Sequence, residues 1–254
     1  MIAPDDRGFT LGDGLFETLL AVDGVPIHWG EHIIRMMQSA QALGLPKPDQ
    51  AKALGLVEAA LKQGGLVSGR AAVRINWSAG PGGRGLDRPH ILSPVLTVTV
   101  APASALVDPA RLITATVRRN DASPSSRHKT LSYLDNVLAR GEATARGADE
   151  ALMLNTKGEV ACAAAANVFW LADGRLHTPD LACGVLKGIA RGMLINHLRP
   201  AVIQARAGPE ALARADAIFL TNSLIGVRDV VELDGRRLPQ QVGQEIVVTL
   251  RGRL

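Results

Sequence analysis

The sequence predicts an α+β protein built as two domains with mixed sheets. Three observations carry that prediction. Short apolar or alternating runs, bounded by turn dipeptides, recur along the whole 254-residue chain, as strands do. Stretches with helical spacing are interspersed among them without the strict βαβ alternation of a doubly wound parallel sheet. A Pro/Ala/Ser-rich stretch from Pro102 to Pro109 separates hairpins and two helices from a longer region of many strands. The expected organisation is a small N-terminal α+β domain over 1–103, a linker over 104–108 and a larger C-terminal domain over 109–254.

The elements follow in order. Residues 15–28, LFETLLAVDGVPIH, read as two strands around an Asp23-Gly24 turn, because that dipeptide tolerates the positive φ a tight hairpin requires. Residues 30–43 read as a helix, with Ile33, Met36, Met37 and Ala40 on one face. A second helix spans roughly 48–63 and stops at Gly64-Gly65. A strand is expected at 70–78, a loop at GPGGRG (80–85) and a strand at 91–101. Beyond the linker, a strand at 111–118 leads into the polar loop NDASPSSRHK (120–129). A helix from about Tyr133 to Arg146 follows, with Ser132 as its N-cap. EALMLNTKGEV and NVFWLADGRLHTP read as two hairpins turning at Lys157-Gly158 and Asp173-Gly174. A helix at about 188–198, strands at 216–221 and 226–233, and a last helix at about 239–250 complete the reading.

Composition limits the function classes. Hydrophobic residues make up 47% and charged residues 20%, an ordinary globular balance, so a folded core is expected. The net charge is +4, but the basic residues are dispersed, with no cationic run interleaved with aromatics, so no nucleic-acid partner is expected. A modest positive field suits an anionic small molecule instead. Cys162 and Cys183 are too few for a disulfide framework and have no CxxC spacing, and the six histidines form no HExxH, so no metal site is expected. No secretory leader opens the sequence and no apolar run is long enough to span a bilayer. The expectation is a cytoplasmic protein with no membrane partner.

A few residues stand out chemically. Lys129 closes a Pro/Ser loop and opens an apolar helix start, K-T-L-S-Y-L, a place where burial against packed structure would lower an amine's pKa. By itself that setting also describes a solvent lysine at a loop end. G-I-A-R-G (188–192) opens a helix on glycine, and T-N-S (221–223) follows a strand. Both can present free backbone N–H groups to a phosphate, or be ordinary caps. Arg35, on the 30–43 helix, could add a bidentate partner. The GPGGRG loop is neither GxGxxG between strand and helix nor followed by GK[ST], so it does not read as a nucleotide loop. With Arg84 at its tip it reads better as a cover over a carboxylated substrate.

Taken in order, these segments carry a resemblance. D-R-G-F-T-L-G-D-G-L-F-E-T (6–18), E-H-I-I-R (31–35), H-K-T-L-S-Y-L-D-N-V-L-A-R (128–140), G-A-D-E-A-L-M-L-N (147–155), N-V-F-W (167–170), L-K-G-I-A-R (186–191) and F-L-T-N-S-L-I-G-V (219–227) together strongly resemble the class IV aminotransferases. These are the fold type IV group of pyridoxal-phosphate (PLP) enzymes, among them branched-chain aminotransferases, D-amino-acid aminotransferases and 4-amino-4-deoxychorismate lyases. The resemblance covers nearly the whole chain. It implies PLP as cofactor, a small-molecule amino substrate and a homodimer.

The resemblance also implies roles. Lys129 matches the lysine that holds PLP as a Schiff base, and Arg35 the arginine that binds its phosphate. Gly188, Ile189 and Ala190 match one phosphate loop, Asn222 and Ser223 the other, and Tyr133 a position lining the cofactor. Three departures accompany it. Cys162 stands where the family sets a glutamate against the pyridine nitrogen, and a thiol is a weak donor with a much higher reference pKa than a carboxyl. Ala190 lacks the hydroxyl the family has in its phosphate loop. The chain opens at the D-R-G segment, so the family's usual first strand is expected to be missing from one sheet edge.

Within the family, the segment G-P-G-G-R-G-L and the placement of Thr18 in D-G-L-F-E-T resemble the lyases, which present a threonine near the lysine. The expectation is a 4-amino-4-deoxychorismate lyase, eliminating pyruvate to leave 4-aminobenzoate, a step of folate biosynthesis. The alternative is a transaminase acting on D-amino or branched-chain amino acids.

Overall fold

A computed structural model describes residues 2–105, 108–198 and 202–239 of the chain. It divides into two compact units. The first contains Met1–Ala105 together with His128–Ser132, and the second contains Leu106–Arg127 and Tyr133–Leu254. Five residues around Lys129, His128–Ser132, thus group with the first unit and not with the chain on either side of them.

The first unit contains a short helix α1 (Arg7–Leu11), strands β1 (Gly14–Val22) and β2 (Val25–Pro26), helices α2 (Trp29–Ala42) and α3 (Gln50–Gln63), and strands β3 (Arg70–Ser78) and β4 (Val95–Pro102). The four strands form an antiparallel sheet in the order β2-β1-β3-β4. Asp23 and Gly24 take φ of 48° and 78°, so the expected β1–β2 turn forms with the left-handed pair it needs. Asp49 caps α3 by accepting from Lys52 N. β4 starts at Val95 rather than at residue 91, because Pro94 has no N–H to give a ladder.

Strand alternation divides this sheet into two chemically different faces. Leu15, Leu19, Ala21, Val73 and Ile75 point to one face and pack with Met36, Ala40, Val57 and Leu61 of the two helices. Phe16 and Thr18 point to the other face. The ladder puts Asn76 and Thr97 beside Phe16, and Arg74 and Thr99 beside Thr18. This second face is polar.

His128–Ser132 extend the sheet at the start of β1. Phe16 N donates to Lys129 O at 2.8 Å and Leu131 N to Gly14 O at 2.9 Å, around a Leu15–Thr130 bridge. That pairing is why the segment belongs to the first unit.

The second unit contains β5 (Ala110–Thr114), a single helical turn α4 (Pro124–Arg127), α5 (Leu134–Ala145), β6 (Glu150–Leu154), β7 (Val160–Ala163), β8 (Asn167–Ala172), β9 (Arg175–Pro179), α6 (Ile189–His197), β10 (Ile203–Ala205), α7 (Pro209–Ala213), β11 (Ala217–Asn222), β12 (Gly226–Leu233) and β13 (Arg236–Arg237). Its mixed sheet runs β10-β9-β8-β11-β12-β5-β6-β7, with β13 beside β12. The β10–β9, β12–β5 and β5–β6 pairs are parallel and the rest antiparallel. The two expected hairpins form at β6–β7 and β8–β9. β5 is shorter than the expected 111–118, ending at Thr114. Thr116 instead donates its N–H and hydroxyl to Glu142 of α5. Ser132 does not cap α5; its hydroxyl turns to Gly12 O at 3.4 Å, and Tyr133 takes the cap position without a side-chain bond. The expected helix at 239–250 lies outside the described residues apart from its first position. Among the described residues no helix is long and apolar enough to cross a membrane.

Candidate active site

The first unit holds Lys129, Thr18, Arg35 and Arg84. Lys129 lies on the polar face of the sheet, its Nζ 4.1 Å from the Phe16 ring centroid. Arg74 Cζ lies 3.8 Å from the same centroid, so two cations share one aromatic ring. Arg74 Nε also donates to Asn76 Oδ1 at 2.9 Å, and Asn76 Nδ2 to Thr97 Oγ1 at 3.2 Å. A hydrogen-bonded row thus runs across the face that carries Lys129 and Thr18. On the opposite side of the segment, His128 Nδ1 meets Ser39 Oγ of α2 at 3.0 Å.

Arg35 sits on α2 and grips Glu17 of β1 with two nitrogens, Nε to Oε1 at 2.8 Å and Nη2 to Oε2 at 2.5 Å. His32, one turn earlier, reaches Glu17 Oε2 with Nδ1 at 2.7 Å. Glu17 and His32 are only 2% and 1% exposed. Burial alone would raise the Glu17 pKa, but the Arg35 guanidinium and the His32 ring outweigh it and hold the carboxyl below its usual range. Burial pushes the His32 pKa down, against the pull of Glu17. A carboxylate only accepts, so the His32 nitrogen facing Glu17, Nδ1, carries a proton.

Sequence reading found Arg35 but missed Glu17 and His32. The signal was a carboxylate at an inward position of β1 with a histidine at an inward position of α2, two polar residues that must pair to be buried.

Arg84 is exposed at its loop tip, and among the described residues its side chain makes no hydrogen bond or ion pair. The buried Arg7 shapes that loop instead, donating to Leu86 O at 3.0 Å and Asp87 O at 2.8 Å. Asp13 bridges Arg7 and Arg88, and Arg88 also donates to Leu43 O at 2.8 Å.

The second unit holds the remaining candidates. Gly188 caps α6 with no side-chain bond, so the first turn of the helix presents its backbone N–H groups. A Cβ on Gly188 would strike Asn167 Oδ1, so Asn167 would have to shift to admit one. Asn167 Nδ2 donates to Leu186 O at 3.0 Å, fixing the chain that leads into the helix. Asn222 ends β11, accepts from Leu224 N and Ile225 N at 2.9 Å each, and donates to Ala165 O at 2.9 Å. It therefore ties the 222–225 turn to the 163–166 turn. The uncapped helix start and the glycine cradle fit a phosphate-bearing group.

Cys162, on β7, is 5% exposed, and burial pushes its thiol pKa up, with Arg119 opposing and Glu150 reinforcing that shift. It is a neutral thiol and does not replace a carboxylate. Burial also raises the pKa of Glu150, whose carboxyl accepts from Ala151 N and Arg140. Tyr133 is half-buried at the start of α5.

The sequence profile described as amino-transferase class IV matches residues 14–233. The chain belongs to this family. It is a PLP-dependent enzyme of fold type IV. A Methanocaldococcus jannaschii protein provisionally named a branched-chain-amino-acid aminotransferase is 33% identical over 247 residues, covering 94% of this chain and 85% of that protein. The aminodeoxychorismate lyase of Bacillus subtilis is 28% identical over 253 residues, covering 96% and 85%. Among solved structures, the PLP-bound form of a hypothetical aminotransferase from Mycobacterium tuberculosis superposes with a TM-score of 0.86 at 28% identity, covering 99% of this chain and 92% of that one. The class IV relatives thus include both lyases and aminotransferases.

Proposed function

We propose that this class IV enzyme is a 4-amino-4-deoxychorismate lyase, releasing pyruvate and 4-aminobenzoate. The observation that carries the reading is the polar face around Lys129. Thr18, Arg74, Asn76 and Thr97 share that face. A branched aliphatic side chain lying there would offer this hydrogen-bonded row and Thr18 no polar contact, whereas a carboxylated, polar ring would add pairing to Arg74 and Thr18.

In this reading Lys129 bonds the cofactor. Gly188, Ile189, Ala190, Asn222, Ser223 and Arg35 hold its phosphate, and Tyr133 and Cys162 line its ring. Bound PLP supplies the electron sink that lets a bond at the substrate carbon bearing the amine break. Lys129 Nζ would take the proton from that carbon. Its position over Phe16 keeps the amine on the sheet face where the substrate lies. Thr18, next in the row after Phe16, passes a proton to the departing enolpyruvyl group. Arg74, which shares the ring with Lys129, steers a substrate carboxylate, with Arg84 as the outer contact.

Glu17 and His32 act through Arg35: they fix its guanidinium so that it meets the phosphate without first losing side-chain freedom. The alternative, transamination, is favoured by the resemblance to the archaeal relative. The deciding experiment supplies aminodeoxychorismate to the purified holoenzyme with no keto-acid acceptor. Release of pyruvate supports the lyase. Turnover only when an acceptor and a D-amino or branched-chain donor are added overturns it.

We also infer a homodimer. Leu134, Val137 and Leu138 expose an apolar stripe on α5, at 67%, 63% and 51%. Light scattering on the wild type and on Leu138→Lys tests this, the variant being expected to shift toward monomer.

A further inference from the structure

Two buried polar groups near the start of α6 are left without the partners their chemistry calls for. Thr221 is 1% exposed, and its Oγ1 has no hydrogen-bond partner among the described residues. Its place in β11 says which way it points. Thr221 pairs with Asn167 across the β11–β8 ladder, and Phe219 with Phe169. Paired residues project to the same face, as do residues two apart on one strand. Phe219 and Phe169 pack with Leu194 of α6. The Thr221 hydroxyl therefore lies on the α6 side of the sheet, next to Asn167, which itself crowds Gly188 at the helix start.

Arg191 is the third residue of α6 and is 3% exposed. Its Nη2 donates at 2.9 Å to Pro179 O and to Gln204 Oε1, both neutral acceptors. Its Nε has no partner, and among the described residues no carboxylate lies within ion-pair distance. Asp180 feels its charge but spends Oδ1 on Ala182 N. A buried cation with no counter-ion is costly, and burial pulls its pKa down. Together with the uncapped helix start, an orphan donor and an unmatched positive charge call for a bound anion.

We propose that Thr221 and Arg191 complete the phosphate site of the cofactor, Thr221 by donating its hydroxyl proton and Arg191 by supplying charge and pinning the first turn of α6 to β9 and β10. This rests on the reading of Gly188–Ala190 and Asn222–Ser223 as phosphate loops. It gives a role to two residues that lie within the quoted segments but to which the resemblance assigned none.

The test compares PLP with pyridoxal, which lacks the phosphate. Dissociation constants for both are measured by absorbance titration on the wild type, Thr221→Val, Arg191→Gln and Arg191→Lys, along with the thermal midpoint of each full-length protein stripped of cofactor. Thr221→Val is expected to keep or raise that midpoint, since it removes an unpaired buried hydroxyl at constant shape. It is also expected to cut the preference for PLP over pyridoxal by about tenfold. Arg191→Gln is expected to reduce the preference by at least as much, and Arg191→Lys to retain part of it. If the preference is unchanged in Thr221→Val and in both Arg191 variants, the proposal fails. It fails equally if Thr221→Val lowers the stripped midpoint and weakens both ligands together, because the hydroxyl is then a structural group. A wild type that shows no preference, and whose PLP binding inorganic phosphate does not compete with, overturns the underlying reading of the loops instead.

Discussion

Lys129 and Phe16 are joined twice. Phe16 N donates to Lys129 O, and the Lys129 ammonium end lies 4.1 Å from the Phe16 ring centroid. The ladder bond fixes the backbone and the ring fixes the side-chain direction. Phe16→Leu removes the ring and keeps the ladder. It is expected to preserve folding but reduce kcat roughly fivefold, the scale of a contact of about 1 kcal/mol, if Lys129 moves the proton as proposed. Lys129→Ala should abolish the absorbance of lysine-bound PLP altogether. A Phe16→Leu enzyme with wild-type kcat would remove the ring from the mechanism.

Glu17 is the buried counter-ion of Arg35, so its removal tests structure and cofactor binding together. Glu17→Gln takes the buried carboxylate away from the Arg35 guanidinium and should cost roughly 3–5 kcal/mol of stability. Urea denaturation measures this. Arg35→Met alone strands Glu17. The double variant Glu17→Gln/Arg35→Met should recover part of the stability but not PLP affinity, which separates the two roles.

The same pair sets an acid limit. His32 has a folded pKa below its reference of 6.5, so its neutral form contributes stability above that value, and this is lost as pH falls from 6.5 toward the folded pKa. Glu17 has a folded pKa below 4.5, so its contribution is present above 4.5 and is lost as pH falls through the folded value. Both terms have the same sign. The thermal midpoint should decline from about pH 6.5 downward and more steeply below 4.5. His32→Asn, which keeps a donor for Glu17 and cannot titrate, should flatten the upper part of the decline. If its pH profile matches the wild type, His32 is not the group responsible.

A side chain on Gly188 would meet Asn167 Oδ1, so Asn167 would have to shift to admit one. Its φ is −65°, so alanine is unstrained in the backbone and the cost is purely steric. Gly188→Ala should weaken PLP roughly tenfold, about 1.4 kcal/mol, and Asn167→Ala added to it should restore part of the loss. Titration of the four proteins checks the sign of the coupling.

Cys162 predicts a change of chemistry. We propose that, if Cys162 faces the cofactor ring as the resemblance implies, its thiol suits elimination, which leaves an aromatic product, better than transamination. Cys162→Glu should raise acceptor-dependent turnover relative to pyruvate release. Equal changes in both rates would sever the link.

Local chemistry made some of this legible in the sequence. Asp23-Gly24 forced its hairpin, and Asp49 capped its helix, because those residues have few other uses in such patterns. Pro94 cut the strand at 95, a shift that a missing N–H explains. The long-range features were hidden. Nothing near Lys129 announces that 129–131 pair with β1, since strand pairing depends on distant partners. Glu17 and His32 looked like irregularities in apolar patterns until a third residue, Arg35, gave them a reason to be buried. Arg74 was invisible for a related cause: it, Phe16 and Lys129 come from three separate stretches of chain.

The migration of His128–Ser132 into the first unit has a further consequence. The polypeptide leaves that unit near residue 105, returns for five residues and leaves again. No single cut separates the two units intact. A fragment ending at Ala105 would expose the edge of β1 at Gly14–Phe16 and lack Lys129, while the complementary fragment would carry Lys129 with no strand to receive it. The halves of this enzyme cannot be exchanged between relatives as independent modules. Any recombination that succeeds has to move the lysine segment with the N-terminal sheet.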